Sequence, residues 1–216
     1  MRGDTIIVEE YHRWAAAEIL PVLLIEIGAS NDKYTITVAG ESGSGKSETA
    51  SAIAQALEQN GITSVILQQD DYFVHPPKSN DCVRRQDIAW VGPQEVKLKL
   101  LDSHLQAFRD NTDSVDRPLV DYETDCIGEE RLALAQARVA IAEGTYTSLL
   151  DNVDTRIFIG RDFEQTRAHR EKRKRDAAEL DPFIEEVLKI EHDIISAHRA
   201  RAHIVINADY SVTVPS

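Results

Sequence analysis

The sequence predicts a doubly wound α/β domain in which a five-stranded parallel sheet carries helices on both faces. Short apolar runs rich in β-branched residues alternate with segments of helical period, and a glycine-rich loop joins the first such strand to the next helix. Strand, loop, helix and strand within about 35 residues form a βαβ unit, whose two strands lie parallel. Ligands of such sheets bind at the carboxyl ends of the strands.

The predicted elements follow from these patterns in chain order. After Lys46, apolar residues recur at the spacing of one helical face until Gly61, which is placed to end that helix. The predicted strands are 35–39, 64–67, 139–142, 155–159 and 203–206. Further helices are predicted over 8–27, from Pro93, over 163–176 and from Asp181. A polar loop is expected over 111–116, and 129–138 is ambiguous between helix and strand. We expect an N-terminal helix in 1–30 and one domain in 31–216.

The amino-acid composition argues against several classes of protein. The net charge of −13 argues against a nucleic-acid-binding protein, and a 42% hydrophobic fraction is enough for a sizeable core. The longest apolar run, 19–27, contains Pro21 and Glu26 and is too short to span a membrane. Cys82 and Cys126 show no metal-binding spacing. We therefore expect a soluble, cytoplasmic protein without a signal peptide; the sequence does not fix whether it is a homo-oligomer.

The glycine-rich loop matches the phosphate-binding pattern G-x-x-x-x-G-K-[ST] without a mismatch, and it lies between a predicted strand and a predicted helix. Its glycines let backbone amides turn towards phosphate oxygens, and the helix N-terminus attracts the same anion. Lys46 is expected to reach the β- and γ-phosphates, and the Ser47 hydroxyl to bind Mg²⁺. The predicted nucleotide-binding residues here are Gly40, Glu41, Ser42, Gly43, Ser44, Gly45, Lys46, Ser47 and Glu48.

Five segments of the chain together resemble the uridine kinase and phosphoribulokinase-like branch of the P-loop kinases. The resemblance extends over about residues 34–207 and leaves the N-terminal helix outside it. It is carried by 38–47, Gln69-Asp70-Asp71-Tyr72-Phe73, Pro118-Leu119-Val120-Asp121-Tyr122, Ala142-Glu143-Gly144-Thr145-Tyr146, and the arginine-rich segment 167–176.

The resemblance implies transfer of the ATP γ-phosphoryl group to a hydroxyl of a small molecule. It implies that Asp70, or else Asp71, is the base that accepts the hydroxyl proton. Glu143, at the end of an apolar strand, is expected to assist Mg²⁺ binding, so that the metal candidates are Ser47, Glu143 and Asp70. The basic segment resembles a lid, over about 163–180, that closes on the phosphates. Its arginines Arg167, Arg170 and Arg173 are expected to share one side of a helix.

The acceptor end departs from the family pattern. Where uridine kinases and phosphoribulokinases carry Asp-His-Pro, this chain has Val91-Gly92-Pro93, and 123–127 lacks the histidine and arginine that uridine kinases place near the nucleoside. We therefore expect an acceptor other than uridine, with the adjacent arginines able to hold a phosphate or carboxylate or to be surface residues. The candidate acceptor-contacting residues are Tyr72, Arg84, Arg85, Asp121 and Tyr122. The histidines 192, 198 and 203 are interpreted as ordinary helix and strand residues.

Two other functions stay open at this point. The missing Asp-His-Pro element is also what an ATP-binding regulator with a degenerate acceptor site would show. A nucleic-acid kinase could use the same loop, although the negative charge of the chain counts against it.

Overall fold

The computed structural model describes residues 1–3, 6–166 and 181–214. Its main sheet has six strands in the order β2–β5–β1–β6–β7–β8. The first five are parallel, and β8 pairs antiparallel at the edge. The strands are β1 (Tyr34–Gly40), β2 (Ser64–Gln68), β5 (Val139–Glu143), β6 (Thr155–Ile159), β7 (Ile204–Ile206) and β8 (Val212–Thr213). The predicted five-stranded parallel sheet is therefore confirmed, with one antiparallel strand added.

Helices cover both faces of this sheet. Those that pack against it are α1 (Glu10–Ala29), α2 (Lys46–Gln59), α4 (Leu98–Arg109) and α5 (Pro182–Ile195), while a further helix, α3 (Pro77–Gln86), has only Asn80 buried. Side chains along β5 alternate between the two cores: Ile141 packs with α1 and α2, whereas Ala140 and Ala142 pack with α4 and the end of α5. A strand buried on both faces reads as a continuous apolar run, which is why β5 was recognisable from the sequence.

The N-terminal helix α1 is part of the core rather than an appendage. Ala15, Ile19, Leu23 and Ile27 recur at helical spacing and are almost completely buried against the sheet and α2. The boundary expected at residue 30 stays a prediction. No helix within the described ranges is both long and apolar enough to cross a bilayer.

A separate two-stranded antiparallel hairpin, β3 (Ser114–Asp121) and β4 (Cys126–Ala133), lies beside the main sheet. It resolves the ambiguity over 129–138, of which the first part is strand, and it corrects the polar loop expected over 111–116, because β3 begins there. The turn of the hairpin is fixed to α3, since the Asp125 carboxylate accepts the amides of Lys78 (2.7 Å) and Ser79 (3.0 Å).

Two helix predictions are wrong or fall outside the described residues. The helix expected from Pro93 begins only at Leu98, because 93–95 form a 3-10 turn in which Glu95 accepts the amide of Gly92 (3.2 Å). In the segment expected to form the basic lid, 163–166 is a turn. The rest of it, including Arg167, Arg170 and Arg173, lies outside the described residues.

Candidate active site

The site lies where β1, β2 and β5 end together. The register pairs Glu143 of β5 with Val38 of β1 on one side and with Gln68 of β2 on the other. The segments that follow these three strands therefore leave the sheet at the same edge. They are the phosphate-binding loop after β1, the 3-10 helix Gln69–Tyr72 after β2, and Gly144-Thr145 after β5.

The phosphate-binding loop connects β1 directly to α2. Gly45 precedes the helix with a left-handed backbone (φ 95°), and a Cβ there would come within 2.8 Å of Nε2 of His12 in α1. Only glycine satisfies both conditions. The first backbone bond of α2 joins the Thr49 amide to the Gly45 carbonyl (2.9 Å). The backbone amides before Thr49 therefore have no carbonyl partner within the helix. Amides left unpaired at a helix N-terminus are the groups that bind anions.

Two further features of this loop fit a bound polyphosphate. Lys46 Nζ donates to the carbonyl oxygen of Glu41 (2.8 Å), which holds the ammonium group over the loop. The hydroxyl oxygen of Ser44 is buried and has no hydrogen-bond partner among the residues that the structure describes. A buried hydroxyl without a partner is unfavourable in isolation and is satisfied when an oxygen-rich ligand occupies the loop. Glu48 is 3% exposed in the first turn of α2, and its part in nucleotide binding stays a prediction.

The side chain of Glu41 has a role that the sequence did not predict. One carboxylate oxygen accepts the amide of Phe163 (2.7 Å), and the other bonds to Nδ1 of His192 in α5 (2.7 Å). In addition, the Thr166 hydroxyl donates to the carbonyl of Ser42 (3.1 Å). Phe163 and Thr166, in the described start of the predicted lid, and His192 in α5 are therefore all tied to the phosphate-binding loop. The sequence analysis interpreted His192 as an ordinary helix residue, and its contact with Glu41 corrects that interpretation.

Glu143 and Ser47 form the candidate metal position. The Ser47 hydroxyl donates to Oε1 of Glu143 (2.9 Å), and Glu143 is 4% exposed. Burial raises the pKa of Glu143 to about 7; the nearby Asp70 carboxylate adds to this rise, and the Lys46 ammonium opposes it. The carboxyl group of Glu143 therefore changes its protonation state near neutral pH, and a pKa shifted in this way is typical of functional sites.

This donor set fits Mg²⁺. Hydroxyl and carboxylate oxygens are its preferred protein ligands, and in kinases it takes one or two of them and completes its shell with phosphates and water. No group of three or more His, Cys, Asp and Glu side chains suited to a metal occurs in residues 1–3, 6–166 and 181–214. A site completed by nucleotide phosphates needs no such group.

The raised pKa of Glu143 predicts a pH-dependent stability. Between its ordinary value of 4.5 and about 7, the folded protein binds more protons than the unfolded chain, so the free energy of unfolding falls as pH rises through that window. Replacing Glu143 by Gln should therefore stabilise the ligand-free protein by on the order of 2 kcal/mol at about pH 8 and have little effect at about pH 5. Urea unfolding at both pH values measures this. The exposed Glu129→Gln is the control, and an equal effect of the two variants would contradict the assignment.

Gly144, next to Glu143, holds the ends of β2 and β5 together. A Cβ at Gly144 would lie 2.2 Å from Cβ of Gln69, whose side-chain oxygen accepts the amide of Tyr146 (2.7 Å). Gly144→Ala should lower the free energy of unfolding by about 2–4 kcal/mol, because it adds overpacking to a strained backbone. Gly28→Ala in α1 is the control, since nothing lies within 4 Å of that position; it should be neutral or stabilising by up to about 1 kcal/mol. Similar losses for both variants in urea unfolding would refute this packing argument.

The two adjacent aspartates after β2 have different environments. Asp70 lines a cavity beside the phosphate-binding loop. Asp71 is completely buried, where it accepts the amide of Val120 (3.0 Å) and forms an ion pair with Arg117 (3.3 Å). Asp71 thus fastens β3 to the main sheet. The geometry favours Asp70 over Asp71 as the base.

The cavity has a volume of about 300 Å³, at the small end of the range for ligand pockets. It is bounded by the phosphate-binding loop, the turn after β2, α3, the hairpin turn and α5. Its lining includes Ser42, Asp70, Phe73, Asn80, Asp81, Arg84, Tyr122, Thr145 and Glu191. Two of the residues predicted to contact an acceptor, Arg84 and Tyr122, are among them.

The prediction for Tyr72 is wrong, and Asp121 is not among the residues that line this cavity. Tyr72 is fully buried in the core, and its hydroxyl bonds to Nδ1 of His104 (2.8 Å). Asp121 does not line the cavity; its Oδ1 accepts the amides of Glu123 (3.0 Å) and Thr124 (3.1 Å) and so closes the hairpin turn. Both residues support the site without facing it.

The two adjacent arginines lie in different environments. Arg85 lies at the surface, paired with Asp81 (2.7 Å) and with Asp181 at the start of α5 (2.7 Å), and it does not line the cavity. Arg84 lines the cavity but is already held by carboxylates, with Nη2 donating to Glu95 (2.7 Å) and to Glu191 (3.2 Å). Arg85 is thus a surface residue, one of the two alternatives that the sequence left open, whereas Arg84 lines the cavity with its charge balanced by carboxylates.

Two residues of this network, Glu95 and Glu191, were missed by the sequence reasoning. Glu191 lies four residues from Val187 and four from Ile195, both buried on the inward face of α5. A carboxylate on an otherwise apolar helical stripe is the signal that could have indicated it. Glu95 gives no comparable signal.

The fold and the glycine-rich loop between β1 and α2 are those of the P-loop class of proteins. The model of the phosphoribulokinase / uridine kinase family matches residues 35–205. The chain belongs to that family. It is 27% identical over 197 residues to the bifunctional α-galactosidase/sucrose kinase of Mediterraneibacter gnavus, covering 86% of this chain and 21% of that enzyme.

Two more proteins illustrate the similarity. The uridine kinase of Ureaplasma urealyticum serovar 10 is 30% identical over 129 residues, covering 57% of this chain and 60% of that one. This chain thus spans less than two thirds of the length of either relative. The phosphoribulokinase of Rhodobacter spheroides shares the fold, with a TM-score of 0.62, 13% identity, and coverage of 82% of this chain and 71% of that one.

Proposed function

We propose that this chain transfers the γ-phosphoryl group of ATP to a hydroxyl of a small molecule of the sugar or nucleoside type. The observation that carries the proposal is the position of Asp70, which lies on the wall of a polar cavity beside the phosphate-binding loop and close enough to Glu143 to raise its pKa. The names of the two relatives, a sucrose kinase and a uridine kinase, support a sugar or nucleoside acceptor.

Each residue of the site has a defined part in this reaction. The amides at the start of α2 and the Lys46 ammonium bind and orient the ATP phosphates. Ser47, Glu143 and Asp70 would hold Mg²⁺, which when bound neutralises phosphate charge. Asp70 accepts the acceptor hydroxyl proton while the bond from that oxygen to the γ-phosphorus forms and the bond to the β-phosphate oxygen breaks, releasing ADP. Because the transition state is loose, positioning and charge matter more than the strength of the base.

The predicted lid arginines Arg167, Arg170 and Arg173 complete the proposal. They would bring positive charge onto the transferring phosphoryl group. The contacts of Glu41 with Phe163, at the start of the predicted lid, and with His192 of α5 support a coupling between the lid and the phosphate-binding loop. Both cysteines are free and exposed, which fits the reducing cytoplasm where we expect the reaction to run.

ADP release tests this proposal. Purified protein is incubated with Mg·ATP and separate pools of sugars, nucleosides, sugar phosphates, vitamins and amino acids, and ADP is measured for each pool. We expect one pool, resolved to one compound, to stimulate release above the rate without acceptor. ATP binding with no stimulation by any pool would contradict the proposal and favour an ATP-binding regulator.

A further inference from the structure

The charge on the cavity wall is set by one arginine and several carboxylates. Among the described lining residues, Arg84 carries the one basic side chain, whereas Asp70, Asp81 and Glu191 are acidic. Met1 also lines the cavity, and its amino group bonds to Asp71 (3.2 Å) and Gln68. The three carboxylates on the wall outnumber the two cationic groups, and two of the three, Asp81 and Glu191, are paired with Arg85 and Arg84.

Arg84 has no unused charge to offer an anion. Its Nε and Nη2 donate to the two oxygens of Glu95, which is completely buried, and Nη2 also reaches Glu191. Glu95 is held further by the side-chain amide of Asn80 (3.1 Å). An anionic group would compete at Arg84 with two carboxylates that already balance its charge, and displacing the completely buried Glu95 would leave an unpaired buried carboxylate, which is strongly unfavourable.

We infer that the cavity accepts an uncharged polyhydroxyl compound, and that the Glu95–Arg84–Glu191 arrangement excludes acceptors that carry a phosphate or carboxylate. This inference rests on the proposed kinase function. Hydroxyl groups donate to carboxylates such as Asp81 and Asp70 without a charge penalty, and Thr145 and Tyr122 add hydroxyls to the wall. Glu95 is a positioning residue, because it acts through Arg84, whereas Glu191 also lines the cavity itself.

Matched pairs of acceptors test the inference. For hexoses, disaccharides and nucleosides, kcat/KM is compared between the neutral compound and its monophosphate ester, and ATP binding is measured in parallel. We expect the neutral member of the productive pair to be preferred by about a hundredfold or more, since like charges placed together cost several kcal/mol. Equal use or preference of the phosphate ester would overturn the inference and leave the kinase proposal standing. No transfer to any acceptor, with ATP still bound, would overturn both.

A variant separates this role from a general structural one. Glu191→Gln should reduce the preference for the neutral acceptor by about tenfold, because it removes one of the charges that neutralise Arg84 and repel an anion. Glu186→Gln, exposed on the same helix, should keep the preference of the parent. Glu95→Gln is the second variant, for use if the first does not fold. Parental discrimination in a folded Glu191→Gln or Glu95→Gln protein would overturn the assignment.

Discussion

Replacing Asp70 by Asn is expected to lower the rate of phosphoryl transfer by about 10²- to 10⁴-fold, the contribution typical of a positioned base. The amide occupies the same space at the cavity wall but cannot accept the hydroxyl proton. The phosphate-binding loop is separate from it, so ATP should still bind. Single-turnover transfer and equilibrium ATP binding, measured on the same preparation, give the two quantities. Full transfer activity in this variant would exclude Asp70 as the base.

Asp71→Asn provides the matched comparison. Because Asp71 is buried between the Val120 amide and Arg117, its replacement should lower the free energy of unfolding by about 1–3 kcal/mol. Transfer per folded molecule should remain within a few-fold of the parent. This result would assign Asp70 to catalysis and Asp71 to the stability of the fold. A reversal of these effects would show that Asp71 is the base.

Replacing Lys46 by Met is expected to lower kcat by about 10²- to 10³-fold, the cost of removing one donor aimed at charge that develops in the transition state. Methionine fills most of the same volume without the ammonium group, so the fold of the loop should persist. Steady-state kinetics with saturating acceptor measure the loss.

Lys99→Met in α4, where the side chain is exposed, is the control for Lys46→Met and should leave the rate unchanged. The unfolding transition of both variants should match that of the parent. If Lys46→Met kept the parental kcat, the loop would serve binding alone, and the regulatory alternative would become the better account.

The parallel sheet could be predicted because its strands are short apolar runs separated by clear turn signals. Helix α3 could not, since among its residues only Asn80 is buried and no apolar period marks it. It is held in place by Asp125 of the hairpin and by the ion pairs of Arg84. The late start of α4 depends on Glu95, which accepts the nearby Gly92 amide and is also paired with Arg84 of α3.

The phosphate-binding loop was predictable because its function resides in consecutive residues. The cavity could not be predicted, because its charges depend on contacts between residues that are distant in the chain. Arg84 contacts both Glu95 and Glu191, and Glu191 lies 107 positions from Arg84. A pair of adjacent arginines suggests an anion site in the sequence. The contacts of Arg84 lead to the opposite prediction about the acceptor.

The most direct test of the kinase assignment is ³¹P NMR of a reaction containing the protein, Mg·ATP and a neutral acceptor from the stimulating pool. We expect a new phosphomonoester resonance that grows in equal amount with ADP and is absent without the acceptor. Inorganic phosphate as the sole new product, or ATP that stays bound and intact with every acceptor, would contradict it.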